Sequence, residues 1–109
     1  MATTIPASAT STMDDRTTKL LVRFTPSSLT TDQYDETIRR LEKSGDWLPE
    51  GLESHVAFKS NGNLRVSEIW NSREQFEAFD KRLMPILAGV GIQLANPPDI
   101  FDVHNIVKG

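Results

Sequence analysis

A chain of 109 residues, 38% hydrophobic and 25% charged, is sized for one soluble globular domain. A net charge of −3 with scattered basic residues excludes a general nucleic-acid binder, which needs a basic patch. The chain has no cysteine, so a disulfide framework, a thiolate nucleophile and a zinc–cysteine site are excluded.

The lack of cysteine fits a cytoplasmic protein, and no apolar run approaches the roughly 18 residues of a membrane span, so no membrane partner is expected. Residues 1–17 are a polar stretch rich in threonine, serine and alanine, without the basic and apolar regions of a signal peptide. They read as a mobile tail ahead of a single domain at residues 18–109.

The first strand is predicted at residues 19–25, KLLVRFT, with Leu20, Val22 and Phe24 on one face and Leu21 and Arg23 on the other. Pro26 stops it, because proline has no N–H to give a ladder. A helix follows. Thr30 is its N-cap and Gln33 completes a capping box, while Leu29 and Tyr34 form a hydrophobic staple. Tyr34, Ile38 and Leu41 make one apolar stripe, and Gly45 is the expected stop. Trp47 and Leu48, in the loop that follows, read as a cap on the core or on an interface.

The second strand is predicted at residues 52–59 and the third at residues 64–70, joined through Asn61-Gly62, a strong hairpin signal. Ser72 with Gln75 marks a second helix whose core stripe is Phe76, Phe79 and Leu83. Pro85 is expected to end or kink it near Met84, leaving residues 86–91 as a separate short turn. Residues 96–99 read as a linker and residues 100–107 as the fourth strand.

The order β-α-β-β-α-β implies an α+β, ferredoxin-like domain: a four-stranded antiparallel sheet with both helices on one face. The uncovered face is expected to carry Leu21, Ala57, Val66, Trp70, Ile100 and Ile106. An apolar sheet face of that kind needs a partner, and the simplest is a second copy of the chain.

The runs GLESHVAF, NGNLRVSEIWNSREQFEAF, RLMPIL and FDVHNIV resemble the dimeric α/β-barrel superfamily, and within it small proteins of the antibiotic-biosynthesis-monooxygenase type. The features shared are a hairpin ending in Trp70, then Asn71 and Ser72, then a helix with paired Phe76 and Phe79. The likeness covers about residues 19–107 and implies a homodimer closing into an α/β barrel. Its members include cofactor-independent oxygenases, polyketide cyclases, lactone isomerases, haem enzymes and proteins without known activity, so the fold leaves the activity open. The haem-degrading branch uses a histidine on the second helix and an asparagine on the first strand. This chain has neither, and it lacks a phosphate loop and a nucleotide fingerprint, so no cofactor is expected.

If the face opposite the helices lines the barrel, it presents Arg23, His55, Glu68, Trp70, Asp102 and His104 in a mostly apolar wall. His55 is the candidate general base, or else a histidine satisfied across the sheet. Glu68 pairs with Arg23 or a histidine, or acts as a desolvated acid. Trp70 and Tyr34 shape a site for a small hydrophobic or aromatic ligand, Arg23 or Asn71 steadies a developing oxyanion, and His104 is a further contact. His55, His104 and Glu68 imitate a two-His-one-carboxylate set, but no metal is expected. The leading reading is a cofactor-independent oxygenase or cyclase for an aromatic or polyketide-like substrate. The alternatives are a non-catalytic small-molecule-binding or stress-response dimer, and an assembly surface without an open cavity.

Overall fold

The computed structural model describes residues 18–94 and 96–109, so the expected tail at residues 1–17 lies outside the described residues. The elements run β1 (Leu20–Phe24), α1 (Thr31–Ser44), β2 (Leu52–Ser60), β3 (Asn63–Trp70), α2 (Arg73–Val90) and β4 (Asp99–Asp102). The strands form one sheet in the order β2-β3-β1-β4, antiparallel throughout. This is the expected ferredoxin-like arrangement, in which α1 and α2 pack against one face of the sheet.

Local chemistry sets the boundaries. Thr30 accepts from the Gln33 backbone N–H at 3.1 Å, and the Gln33 side chain accepts from the Thr30 N–H at 3.1 Å, so both halves of the capping box form. Leu29 is buried with Leu64 and Ile92, and Tyr34 packs against that group, as a staple requires. Gly45 closes α1 in the left-handed conformation. In the hairpin, Asn61 and Gly62 have φ of 52° and 84°, the two positive values of a type I′ turn.

Two boundaries differ from expectation. The second helix runs through Pro85 to Val90 and is capped by Gly91 rather than breaking at Met84. Pro85 and Lys81 both lie on the exposed side, so the Lys81 carbonyl that loses its partner can bond water instead. The fourth strand ends at Asp102 instead of residue 107 because its partner ends: Asp102 pairs with Leu20 at the start of β1, and Val103 makes one more bond to the Lys19 carbonyl at 2.9 Å.

The register corrects the assignment of faces. Directly opposed residues of an antiparallel pair share a face. Leu20 opposes Trp70, Val22 opposes Glu68, and Phe24 opposes Val66. On the other side of β3, His55 opposes Glu68 and Ala57 opposes Val66. All of these therefore sit on the helix-covered face, where Leu20, Val22, Phe24, Val66 and Trp70 form the core with Leu41, Phe76, Phe79 and Leu83. Ile100, opposite Val22, packs against the same core. Ala57, Val66, Trp70 and Ile100 are thus not on the open face, and His55 and Glu68, expected there with them, also face the helices. The open face carries Leu21, Arg23, Val56, Phe58, Ile69 and Phe101. Ile106 falls beyond β4.

Candidate functional site

The hairpin turn positions the first polar pair. Ser60 opposes Asn63, and counting five residues back along β2 and five forward along β3 brings His55 opposite Glu68. A bulge at Glu53 then lets Leu52, rather than a carboxylate, oppose Trp70. The α1 cap places Tyr34 at the start of that helix, above His55.

The result is a continuous chain of hydrogen bonds. Trp70 Nε1–H donates to Glu68 Oε1 at 2.9 Å, and His55 Nδ1 meets Glu68 Oε2 at 2.7 Å. Tyr34 Oη meets His55 Nε2 at 2.6 Å. Burial first, then the negative fields of Glu68 and Asp35, push the Tyr34 hydroxyl above its usual range. The phenol therefore keeps its proton, and it donates to Nε2 when the carboxylate of Glu68 takes the Nδ1–H of a neutral His55. In that arrangement His55 directs Nδ1–H at the carboxylate and presents a bare Nε2 to Tyr34. The Glu68 side chain is 3% exposed and that of His55 14%. The imidazole is also held by rings: Tyr34 lies 5.8 Å away at 26°, and Trp47 stands edge-on at 5.0 Å and 84°.

This chain borders a cavity of about 60 Å³ between sheet and helices, whose remaining wall includes Phe24, Leu41, Trp47, Phe79 and Leu83. Among the described residues no lysine or arginine lines it. The site can take up and pass on a proton in an apolar enclosure; among the described residues it has no fixed cation to hold an anionic ligand.

Of the residues singled out in the sequence, His55, Glu68, Tyr34 and Trp70 meet in this network. Arg23 does not: its position opposite Asp99 and Ser67 puts it, exposed, on the other face of the sheet. Asn71 is exposed and accepts from Lys19 Nζ at 3.2 Å. His104 lies past the end of β4 in a broad polar cleft with Lys19, Glu53 and Lys108. Asp102, one position opposite Leu20, is exposed at the end of β4. His55 and His104 therefore do not converge, and among the described residues no group of three or more His, Asp or Glu is placed to hold a metal ion.

Trp47, expected to cap the core or an interface, packs against the core and edge-on against His55. One residue of interest escapes a sequence reading. Asp80, within the charged run DKR of α2, has its Oδ1 buried without a hydrogen-bond partner among the described residues. Burial first, then Glu68 and Glu77, push its carboxyl above the usual range.

No family model matches the chain, and no curated protein does. Solved structures do. The cofactor-independent oxygenase SnoaB of Streptomyces nogalater is 12% identical, with 84% of this chain and 97% of that one covered and a TM-score of 0.55. A monooxygenase of Streptomyces coelicolor, solved with the ligand nanaomycin D, is 15% identical over 89% of this chain and 96% of its own, with a TM-score of 0.53. A conserved protein of unknown function from Bacteroides thetaiotaomicron is 13% identical over 81% and 99%, with a TM-score of 0.51. The hairpin, the paired helices and the strand order together give this chain the ferredoxin-like fold seen in antibiotic-biosynthesis-monooxygenase-like proteins.

Proposed function

We propose that this chain is a small-molecule-pocket protein that removes a proton from a neutral aromatic or polyketide-like substrate, as a cofactor-independent oxygenase or cyclase. The observation that carries this reading is the Trp70–Glu68–His55–Tyr34 hydrogen-bond chain beside an apolar cavity. His55 Nε2 is the base. Tyr34 passes the substrate's proton to it, and Glu68 balances the imidazolium that forms. Tyr34, rather than Arg23 or Asn71, then offers its O–H to the developing oxyanion. Two structures of the same fold named as an oxygenase and a monooxygenase favour the class.

The test is turnover of anthrone- and quinone-like compounds by wild type and His55→Ala. A loss on the order of 10²–10⁴-fold in the variant is expected for a general base. Equal rates remove His55 from the chemistry.

A second reading has its own observation: the four polar side chains satisfy one another, which a purely binding pocket also needs. Binding of such compounds without turnover supports it.

The same proposal includes a homodimer in the cytoplasm, formed through the open face of the sheet. Val56 and Phe101 are 52% and 47% exposed there, beside Leu21, Phe58 and Ile69, and a second copy covers them by two-fold symmetry. A dimeric mass at micromolar concentration is the expected result, and a monomeric one overturns this part. Among the described residues no helix is long and apolar enough to cross a membrane.

A further inference from the structure

The cavity beside His55 is too small for the ring that the proposed function asks it to hold. Its volume is about 60 Å³. An apolar cavity that accepts one benzene ring is nearer ~150 Å³. Space for a substrate must come from a lining residue that can leave. Leu41, Phe79 and Leu83 are buried on the helices and cannot leave without opening the core. Pro26 and Leu94 are bridged to each other, and Leu29 and Ile92 are buried with Leu64.

Trp47 has none of these ties. It sits in the connection between α1 and β2, at residues 45–51, whose end glycines, Gly45 and Gly51, have φ of 83° and 93°. The two ends are fixed: Asp46 is paired with Arg82 at 2.9 Å, and the Gly51 carbonyl accepts from the Asn71 N–H at 2.8 Å. Between them Trp47 is half-buried and Leu48 is 72% exposed, and the indole N–H makes no hydrogen bond among the described residues. What holds the indole inward is packing against the core and its edge-on contact with the His55 ring.

We propose that Trp47 is the gate of this cavity, and that the space its indole fills against His55 is the subsite for a neutral planar aromatic ring. The inference rests on the pocket reading above and names its substrate class. An aromatic ring replaces an aromatic ring, so the edge-on contact with His55 is exchanged rather than lost. A hydroxyl on the incoming ring reaches the Tyr34–His55 end of the hydrogen-bond chain. A carboxylate or phosphate is disfavoured, because among the described residues no cation lines the cavity and Glu68 shares its wall with His55.

The experiment uses the full chain labelled with 5-fluorotryptophan and 2-naphthol as the probe. Trp47 and Trp70 are the two tryptophans, so fluorine NMR gives two resonances, assigned with Trp47→Phe. Adding 2-naphthol is expected to move the Trp47 resonance toward its solvent-exposed position and leave that of Trp70 in place. Trp47→Ala is expected to bind 2-naphthol about tenfold tighter, because a protein closed ten to one against its ligand gains that factor when the gate is removed. Trp47→Phe should fall between, and serves where the alanine variant does not fold. Binding with an unmoved Trp47 resonance, or weaker binding by Trp47→Ala, overturns the gate and leaves the pocket reading standing. No binding by wild type or either variant overturns both.

Discussion

Trp70→Ala is expected to lower the free energy of unfolding by about 3–5 kcal/mol, the range for removing a buried tryptophan. Trp70 is fully buried, with Phe76 at 5.7 Å and Phe79 at 5.4 Å between ring centres. Deletion leaves a void beneath α2 that these rings cannot fill, since both are fixed on one helix. It also leaves Glu68 Oε1 without its donor, in a side chain 3% exposed, and an unmet buried acceptor costs about 1–3 kcal/mol. A domain of this size has roughly 5–15 kcal/mol in all, so the variant should be partly unfolded under mild conditions. Trp70→Phe separates the two contributions, because it keeps a ring and removes only the N–H. Urea unfolding of the three proteins measures both steps. A loss below about 1 kcal/mol for Trp70→Ala would show that the core does not depend on this ring.

The reason Trp70 carries so much is that it joins the apolar core to the polar chain, and half of that was legible in the sequence. Asn61-Gly62 announces a two-residue turn, and a two-residue turn fixes the register of both strands. Counting outward from it pairs His55 with Glu68 from residue order alone. The capping box at Thr30 likewise fixes where α1 starts, and so where Tyr34 sits.

Which face meets the helices was not legible. Alternation along one strand shows which residues travel together; it does not show how that set aligns with another strand's set. Strand β3 offers two plausible faces, Val66, Glu68, Trp70 and Arg65, Ser67, Ile69, and a carboxylate on the first makes it look like the wetter one. The pairing of Leu20 with Trp70 decides otherwise. Glu68 is tolerated in the core because both of its oxygens find donors there. The same phase error carried Arg23 into the expected site: Leu21 and Arg23 do share the open face, but His55 and Glu68 do not join them there. His104 was misplaced for a simpler reason: it lies in irregular chain past the end of β4, where no period says which way a side chain turns, and the same lack of period in its loop left Trp47 a cap without a named partner.

Glu68→Gln is expected to keep the fold and to abolish the base. In the native chain Glu68 accepts at both oxygens, so His55 must donate from Nδ1 and its Nε2 is free to receive the proton of Tyr34. A glutamine has one accepting and one donating end. The Trp70 N–H can only donate, so it claims the amide oxygen and turns the amide NH2 toward His55. Nδ1 must then accept, the ring proton moves to Nε2, and Tyr34 is left facing a donor. The shape and volume of the side chain are conserved, so the core around Trp70 should be little disturbed. Turnover of any substrate found by the screen is expected to fall on the order of 10²–10⁴-fold, as when a general base is removed. Nitrogen-15 NMR of the His55 ring reads the cause directly, with protonation moving from Nδ1 to Nε2 between wild type and variant. A ring that keeps its Nδ1–H, or turnover that survives the exchange, would show that Glu68 is only filling the core. The reversed tautomer with lost turnover would tie both to the pairing that the hairpin sets between β2 and β3.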